Sequence, residues 1–289
     1  MQLKTKIEKG KFVLLAEMEP PKGADATMML ENAEKIRGAI DAFVVPEMSN
    51  AVMRMSSLGG SVLLQQRGLD VVMQINCRDR NRLALQADIL AAYACGITSI
   101  MAVEGVAPSF GDHHETRAVY DIRLNTLLTT IQTLQKGHDM AGVDLIGAPK
   151  FAIGTTINPG TAGIMLDKEL AKMEEQIDSG VQFFITPPLF DINAIEPFLK
   201  RIDNKRSFII PTILLLKSVG MARYMDRNVE HVHIPAELIK RIQKAPDKAR
   251  ECISVSKEMV EMLKKESFCG AMISTIGWEN KLPEILGVM

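Results

Sequence analysis

Residues 208–216 read Phe-Ile-Ile-Pro-Thr-Ile-Leu-Leu-Leu, a run in which Thr212 is the lone polar side chain. A strand wetted on one face alternates apolar and polar residues. This run does not, so both of its faces are covered, as in parallel strands packed beneath helices. The runs Val71-Val72-Met73-Gln74-Ile75 and Phe183-Phe184-Ile185-Thr186 have the same character. Amphipathic stretches separate them, such as 80–94, where Leu83, Leu85, Ile89, Leu90 and Tyr93 form an apolar set. Followed outward in both directions, the alternation places strands at 12–17, 42–45, 71–76, 97–103, 151–156, 181–186, 208–216 and 270–275. Helices fall at 26–37, 51–66, 80–94, 124–135, 168–179 and 193–201. An extra helical section occupies about 219–267, with helices near 219–225, 236–244 and 247–265, and a short helix at 282–286 closes the chain.

Eight strand–helix units imply an α/β protein of (β/α)8 TIM-barrel type, read as a single domain over 1–289. The length suits a fold that typically needs about 250 residues. An open doubly wound sheet is the competing architecture. It usually opens with a glycine-rich first turn, whereas the first strand here runs into Glu17-Met18-Glu19-Pro20-Pro21, and neither G-x-G-x-x-G nor a P-loop occurs.

Composition removes several functions. The chain carries 34 basic and 35 acidic side chains, a balance that gives no electrostatic footprint for nucleic acid, and no basic run suits an anionic membrane. No apolar run approaches the ~18 residues of a membrane span, and residues 1–10 lack the apolar core of a signal peptide, so a cytoplasmic protein is expected. Cys77, Cys95, Cys252 and Cys269 show no C-x-x-C spacing and read as reduced, packed thiols. The 18 methionines are scattered at helix and strand positions, as core filling would have them. Gly111-Asp112-His113-His114-Glu115 lacks a second cluster to complete a coordination shell, so no metal is expected. His138, His231 and His233 carry no functional signal, and Ser218 has no G-x-S-x-G context.

In such a barrel the active site is built at the C-terminal ends of the strands. The candidates in strand order are Glu17 and Glu19, then Glu47, Ser49 and Asn50, then Gln74, Asn76, Arg78 and Asp79. Glu104 and the loop 105–121 follow, then Thr155, Thr156 and Asn158, Thr186 and Asp191, and Lys217 with Ser218. Most are neutral hydrogen-bonding groups, and the rim cations are Arg78, Arg80, Arg117 and Lys217. That mixture suits a polar heteroaromatic ligand better than a phosphate. Glu17 follows the apolar run Phe-Val-Leu-Leu-Ala. Desolvation there raises a carboxyl pKa and makes a proton donor usable near neutrality. The structural alternative is an ion pair with Arg78 or Lys217.

Laid end to end, these segments resemble the methylenetetrahydrofolate reductase family. The matching stretches are 16–25 (AEMEPPKGAD), 50–60 (NAVMRMSSLGG), 76–97 (NCRDRNRLALQADILAAYACGI), 111–122 (GDHHETRAVYDI), 153–160 (IGTTINPG), 183–191 (FFITPPLFD), 214–225 (LLLKSVGMARYM) and 232–249 (VHIPAELIKRIQKAPDKA). The resemblance implies an (α/β)8 barrel holding a folate in its mouth and a flavin, FAD or FMN, against the strand ends. Hydride would pass from a reduced nicotinamide through the flavin to 5,10-methylenetetrahydrofolate. Glu17 falls on the family's acid, which would protonate folate N5 and help open the imidazolidine ring. Asn76, Thr155, Asn158, Thr186, Asp191 and Lys217 become the expected substrate contacts, and Gln74, Glu104, Gly105 and Gln176 the expected cofactor contacts. A homo-oligomer is expected.

The departures from the family pattern bear on the cofactor. Gln74 stands where a flavin-contacting histidine is usual, Gly105-Val106 where a Gly-Asp pair is usual, and Glu104 where an arginine or small polar residue is common. Thr186-Pro187 replaces Thr-Gln, Gln176 replaces a lysine and Pro46 a threonine. Each lost hydrogen bond is worth ~1 kcal/mol net and a charge-assisted one ~2, so flavin affinity falls by orders of magnitude unless other groups compensate. Tetrahydrofolate as substrate is the better supported ligand. Three functions stay open: the reductase, a flavin-independent methyltransferase exchanging methyl between tetrahydrofolate N5 and a corrinoid protein, and a non-catalytic partner subunit. An electron-transfer subunit is a further expected partner.

Overall fold

A computed structural model describes residues 3–203, 206, 208–266 and 268–288. Ser267, where the expected helical section ends, lies outside them, as do Met1 and Gln2. The strands are β1 (Val13–Glu17), β2 (Ala42–Val45), β3 (Val71–Asn76), β4 (Ser99–Val103), β5 (Ala152–Thr156), β6 (Phe183–Pro188), β7 (Phe208–Leu214) and β8 (Gly270–Ser274). All neighbours are parallel, and β8 pairs back onto β1, closing an eight-stranded barrel. The helices are α1 (Leu3–Glu8), α2 (Thr27–Lys35), α3 (Ser57–Gln66), α4 (Arg82–Ala94), α5 (Leu124–Gln135), α6 (Ile164–Asp178), α7 (Glu196–Leu199), α8 (Val219–Asn228), α9 (Ala236–Lys244), α10 (Lys248–Lys265) and α11 (Leu282–Leu286).

Alternation along each strand sorts its residues between two cores. Val13, Leu15, Val44, Val72, Met101, Phe183, Ile210 and Met272 fill the barrel interior, while residues such as Ala16, Phe43, Met73, Ile100 and Phe184 pack against the helical shell. The interior is a packed core, as expected for this fold. Gly154 belongs to it for a steric reason: a Cβ there would lie 2.2 Å from the Phe183 ring. Leu3 and Ile7 of α1 join the interior cluster, so α1 plugs the barrel floor below Val13.

Three local differences from the sequence reading have physical causes. Helix α1 is too short and too rich in lysine to show an apolar period. The helix expected from residue 51 begins only at Ser57, because Met48 and Ala51 adopt positive φ and Ser56 caps the helix by accepting the Gly59 N–H at 3.1 Å. Strand β6 continues through Pro187 and Pro188 with a register shift between Ile185 and Pro188, an irregularity that accommodates residues unable to donate to the ladder. Among the cysteines, Cys77 and Cys252 are buried and Cys269 is half-buried. Cys95, which terminates α4, is exposed, so the packed-thiol reading does not hold for it. No helix among the described residues is long and apolar enough to cross a membrane.

Candidate active site

The strand ends surround a cavity of about 470 Å³ at the barrel mouth. Glu17 enters it from β1, continuing the inward set Val13 and Leu15. Its partner is Ser274 of β8, whose hydroxyl donates to Glu17 Oε1 at 2.9 Å. Burial pushes the carboxyl from its ordinary 4.5 to about 7. The Ser274 bond works against that rise, and the negative charges of Glu19 and Glu279 add to it.

The expected ion pairs of Glu17 do not form. Arg78 is buried, with its guanidinium on Asp79 at 2.6 Å and on the Met48 and Val106 carbonyls. Lys217 donates to the Ile276 carbonyl and lies over the Trp278 ring at 5.2 Å. Glu19, one pleat further along, instead pairs with Arg54 at 2.8 Å.

Gln74, Asn158 and Thr186 share the cavity wall with Glu17. Gln74 Oε1 accepts the Glu47 N–H at 2.9 Å, and its Nε2 has no protein hydrogen bond among the described residues. The Glu47 side chain, buried beside it, accepts from Ser57 and Arg80. Thr186 lies at the wall with its hydroxyl on the Pro187 carbonyl at 2.7 Å and accepts the Thr212 N–H. Asn158 has its Oδ1 on the Gly160 N–H at 3.2 Å. Asp191 sits next door, on a smaller hollow of about 150 Å³, and caps the 3₁₀ turn Ile192–Ile195 through the Asn193 N–H.

Other expected contacts serve the scaffold. Asn76 is buried, with Nδ2 on the Glu47 carbonyl and Asp79 and Oδ1 on the Asp79 N–H. Thr155 has the opposite parity to Gly154, so it turns away from the interior and donates to the Ala102 carbonyl at 2.7 Å. Its neighbour Thr156 is the one on the cavity wall. Glu104 accepts the Leu124 N–H at 2.9 Å and pairs with Arg123 at 2.7 Å, so it caps α5. Gly105 has φ +87° and backs onto Arg78 and Asn76, while its carbonyl accepts from Tyr120; its contribution is backbone shape. Gln176 is fully buried near the C-terminal end of α6, its amide without a protein partner. Glu169, two turns earlier on α6 and ~10 Å along its axis, is the α6 residue that reaches the cavity, together with Lys172.

The sequence reading thus missed Ser274, Thr212, Glu169 and Lys172. Ser274 stands two positions beyond Met272, and strand parity alone pointed it inward. Glu169 and Lys172 gave no such signal, because an oppositely charged pair three residues apart is ordinary on a solvated helix face. Apolar groups complete the wall, notably Met101, Leu214, Met225 and Met272.

The fit to a flavin nucleotide is decided by its phosphate. Arg54 is committed to Glu19, Arg78 to Asp79, Arg80 to Glu47 and Asp88, and Lys172 to Glu169. Lys217 is held by the Ile276 carbonyl. Among the described residues, Arg117 on the exposed loop is the rim cation left uncommitted. With Glu17 and Glu169 in the cavity wall, the donor set does not fit that phosphate, although it suits an uncharged heterocycle. No cluster of three or more metal-ligating side chains occurs among the described residues.

A family described as methylenetetrahydrofolate reductase matches residues 2–287. The curated protein methylenetetrahydrofolate reductase 2 of Schizosaccharomyces pombe is 22% identical over 275 residues, covering 90% of this chain and 42% of that protein. The chain therefore spans about two fifths of that relative's length. Among solved structures, EDTA monooxygenase (EmoA) from Chelativorans sp. BNC1 superposes with a TM-score of 0.54 at 10% identity, covering 96% of this chain and 93% of that one, a likeness of fold.

Proposed function

Because the chain belongs to the methylenetetrahydrofolate reductase family, we propose that its barrel mouth binds a reduced folate. On this reading Glu17 is the proton donor of a one-carbon reaction at N5, the conversion of 5,10-methylene- to 5-methyltetrahydrofolate. Family membership supports a folate-linked one-carbon enzyme of oxidoreductase type; the particular reaction is our reading. The observation that carries it is the Glu17 carboxyl, held at the inner rim by one hydroxyl and raised to about 7, so that its acid form is populated at neutral pH.

The chemistry decides where the proton goes. For the methylene carbon to remain on N5 as an iminium, the bond that breaks is the one to N10. The electron pair and the Glu17 proton then end on N10, and not on N5 as the family resemblance alone implied. Hydride addition to the iminium carbon gives the methyl group. The donor set gives no reason to seat a flavin phosphate in this mouth, so we assign the hydride to a reduced nicotinamide or to an electron-transfer subunit that approaches the open side.

The test combines calorimetric titration of tetrahydrofolate with chromatographic detection of 5-methyltetrahydrofolate, using methylenetetrahydrofolate and reduced nicotinamide or reduced flavin. Binding and product formation are expected. Lack of tetrahydrofolate binding would sink the reading.

Methyl transfer between N5 and a corrinoid protein is a second reading, supported by the same commitment of the cations nearest the cavity to carboxylates and carbonyls. In that reaction N5 itself takes the Glu17 proton and becomes the leaving group. Methyl transfer from 5-methyltetrahydrofolate to a corrinoid acceptor, without any reductase activity, would favour it.

A further inference from the structure

The mouth sets an acid, an amide and a second carboxylate along one arc and mixes hydroxyls with apolar groups along the other. Taking the strands in barrel order, β1 presents the acid Glu17, and β3 presents Gln74, whose carbonyl is occupied by the Glu47 N–H and whose amide N–H groups alone remain for a ligand. Beyond β5, diametrically across from β1, stands Glu169 of α6. Its Oε1 takes the Asn158 N–H at 2.8 Å and Lys172 at 3.2 Å, and its second oxygen has no protein hydrogen bond among the described residues. The return arc mixes Ile185 and Pro187 of β6, Leu214 of β7 and Met272 of β8 with the hydroxyl-bearing Thr186, Thr212 and Ser274, and Met101 of β4 stands between Gln74 and Glu169.

A reduced pterin has the same order of groups around its perimeter. Starting at N5, one direction meets the O4 acceptor and then the N3–H and 2-amino donors, while the other meets the saturated carbons C6 and C7. Acid, donor and acceptor in the mouth thus face the N5–C6 side that carries the bridge to N10, O4, and the N3–H/2-amino edge, and the mixed arc faces C7 and N8–H.

We propose that Glu169 is the specificity-determining residue of this cavity, accepting N3–H and the 2-amino group of a reduced pterin, while Gln74 donates to O4 and so turns the N5–C6 side, from which the bridge to N10 hangs, toward Glu17. The proposal rests on the folate reading above and assigns it a pose. It also accounts for the aminopyrimidinone edge being read although Pro187 stands where the family resemblance expects a glutamine. Lys172 pairs with Glu169 through Oε1 and leaves the second oxygen available as an acceptor.

The experiment is a calorimetric cycle with 6-methyltetrahydropterin and its 2-desamino counterpart, titrated into wild type and Glu169→Gln, with tetrahydrofolate on wild type as the control for the folate reading. Glutamine keeps the Oε1 acceptor for Asn158 but presents N–H groups to the ligand's own donors. Expected is an affinity loss on the order of tenfold to a hundredfold for 6-methyltetrahydropterin in the variant, with the desamino compound losing far less. Equal losses for both ligands would mean that Glu169 acts through the scaffold, and no loss would mean that it does not touch the pterin; either overturns the proposal. Should tetrahydrofolate fail to bind wild type, it is the folate reading that falls. On wild type alone, the 4-amino counterpart, which sets a donor against Gln74, is expected to bind at least tenfold more weakly than the 4-oxo compound, and equal binding would remove Gln74 from the pose.

Discussion

Ser274 donates to Glu17 Oε1 at 2.9 Å across the seam where the last strand of the barrel closes on the first, joining residues 257 positions apart. The bond favours the ionised carboxylate and so restrains the rise that burial imposes. Ser274→Ala removes that restraint. Since a hydrogen bond to a charged group is worth roughly 1.5–3 kcal/mol and 1.36 kcal/mol is one pKa unit, the Glu17 pKa should move up by about one unit or more. If the acid form is the working form, the alkaline limb of kcat/KM moves upward with it, and Ser274→Thr, which keeps a hydroxyl, restores the wild-type limb. An unmoved limb in Ser274→Ala would show that another group sets the pH dependence.

The same carboxyl has a consequence for folding. Its pKa is near 4.5 in the unfolded chain and about 7 in the folded one, so between those values the folded state binds the extra proton. Its favourable contribution is therefore complete below about pH 4.5 and is lost as pH rises through 7. Glu17→Gln removes the titration. After allowance for its partial exposure, the variant should be more stable than wild type by on the order of 1–3 kcal/mol at pH 8–9, with the difference vanishing near pH 4. Denaturant unfolding at several pH values measures this. Turnover in Glu17→Gln should fall by roughly 10²- to 10⁴-fold, the range for loss of a general acid, and undiminished turnover would take the acid role away from Glu17.

Glu104 separates cofactor contact from scaffold. It satisfies the Leu124 N–H at the start of α5 and pairs with the exposed Arg123, so Glu104→Ala should cost about 1 kcal/mol of stability, as for other helix caps. Tetrahydrofolate affinity should be unchanged within twofold. A large affinity loss at unchanged stability would instead place Glu104 in the ligand site.

These cases mark how far the sequence could be read. Runs such as 71–75 and 208–216 exposed the barrel because burial on both strand faces leaves a compositional trace, and Glu17 followed from its place at the end of one such run. The inward or outward sense of Thr155 and Thr156 was also implicit in a period of two, yet one ambiguous strand boundary suffices to exchange them. Gln176 shows a different limit. Its position in the family pattern says nothing of depth along α6, and the structure places it about one turn beyond Lys172 and two beyond Glu169, the α6 residues that reach the mouth. Glu169 was illegible because its role depends on which oxygen Asn158 and Lys172 leave unoccupied, a fact of three-dimensional geometry.

The barrel interior offers a last check on the architecture, independent of any ligand. Gly154 on β5 faces the Phe183 ring of β6 so closely that a Cβ would lie 2.2 Å from two ring carbons. The ring is fully buried, with Ala152, Met101 and Ile185 in the same interior cluster, so it has little room to retreat. Gly154→Ala should therefore destabilise the fold by about 1–3 kcal/mol or more, even though alanine is the smallest possible addition and this φ is open to it. Phe183→Leu alone should also destabilise, through lost volume. If the two side chains compete for one space, the double variant should be more stable than the sum of the single losses predicts, with a coupling on the order of 1 kcal/mol by denaturant unfolding. Strict additivity would mean that Gly154 and Phe183 do not share the interior layer, and the inward parity assigned to β5, and with it the placing of Thr156 on the cavity wall, would have to be abandoned.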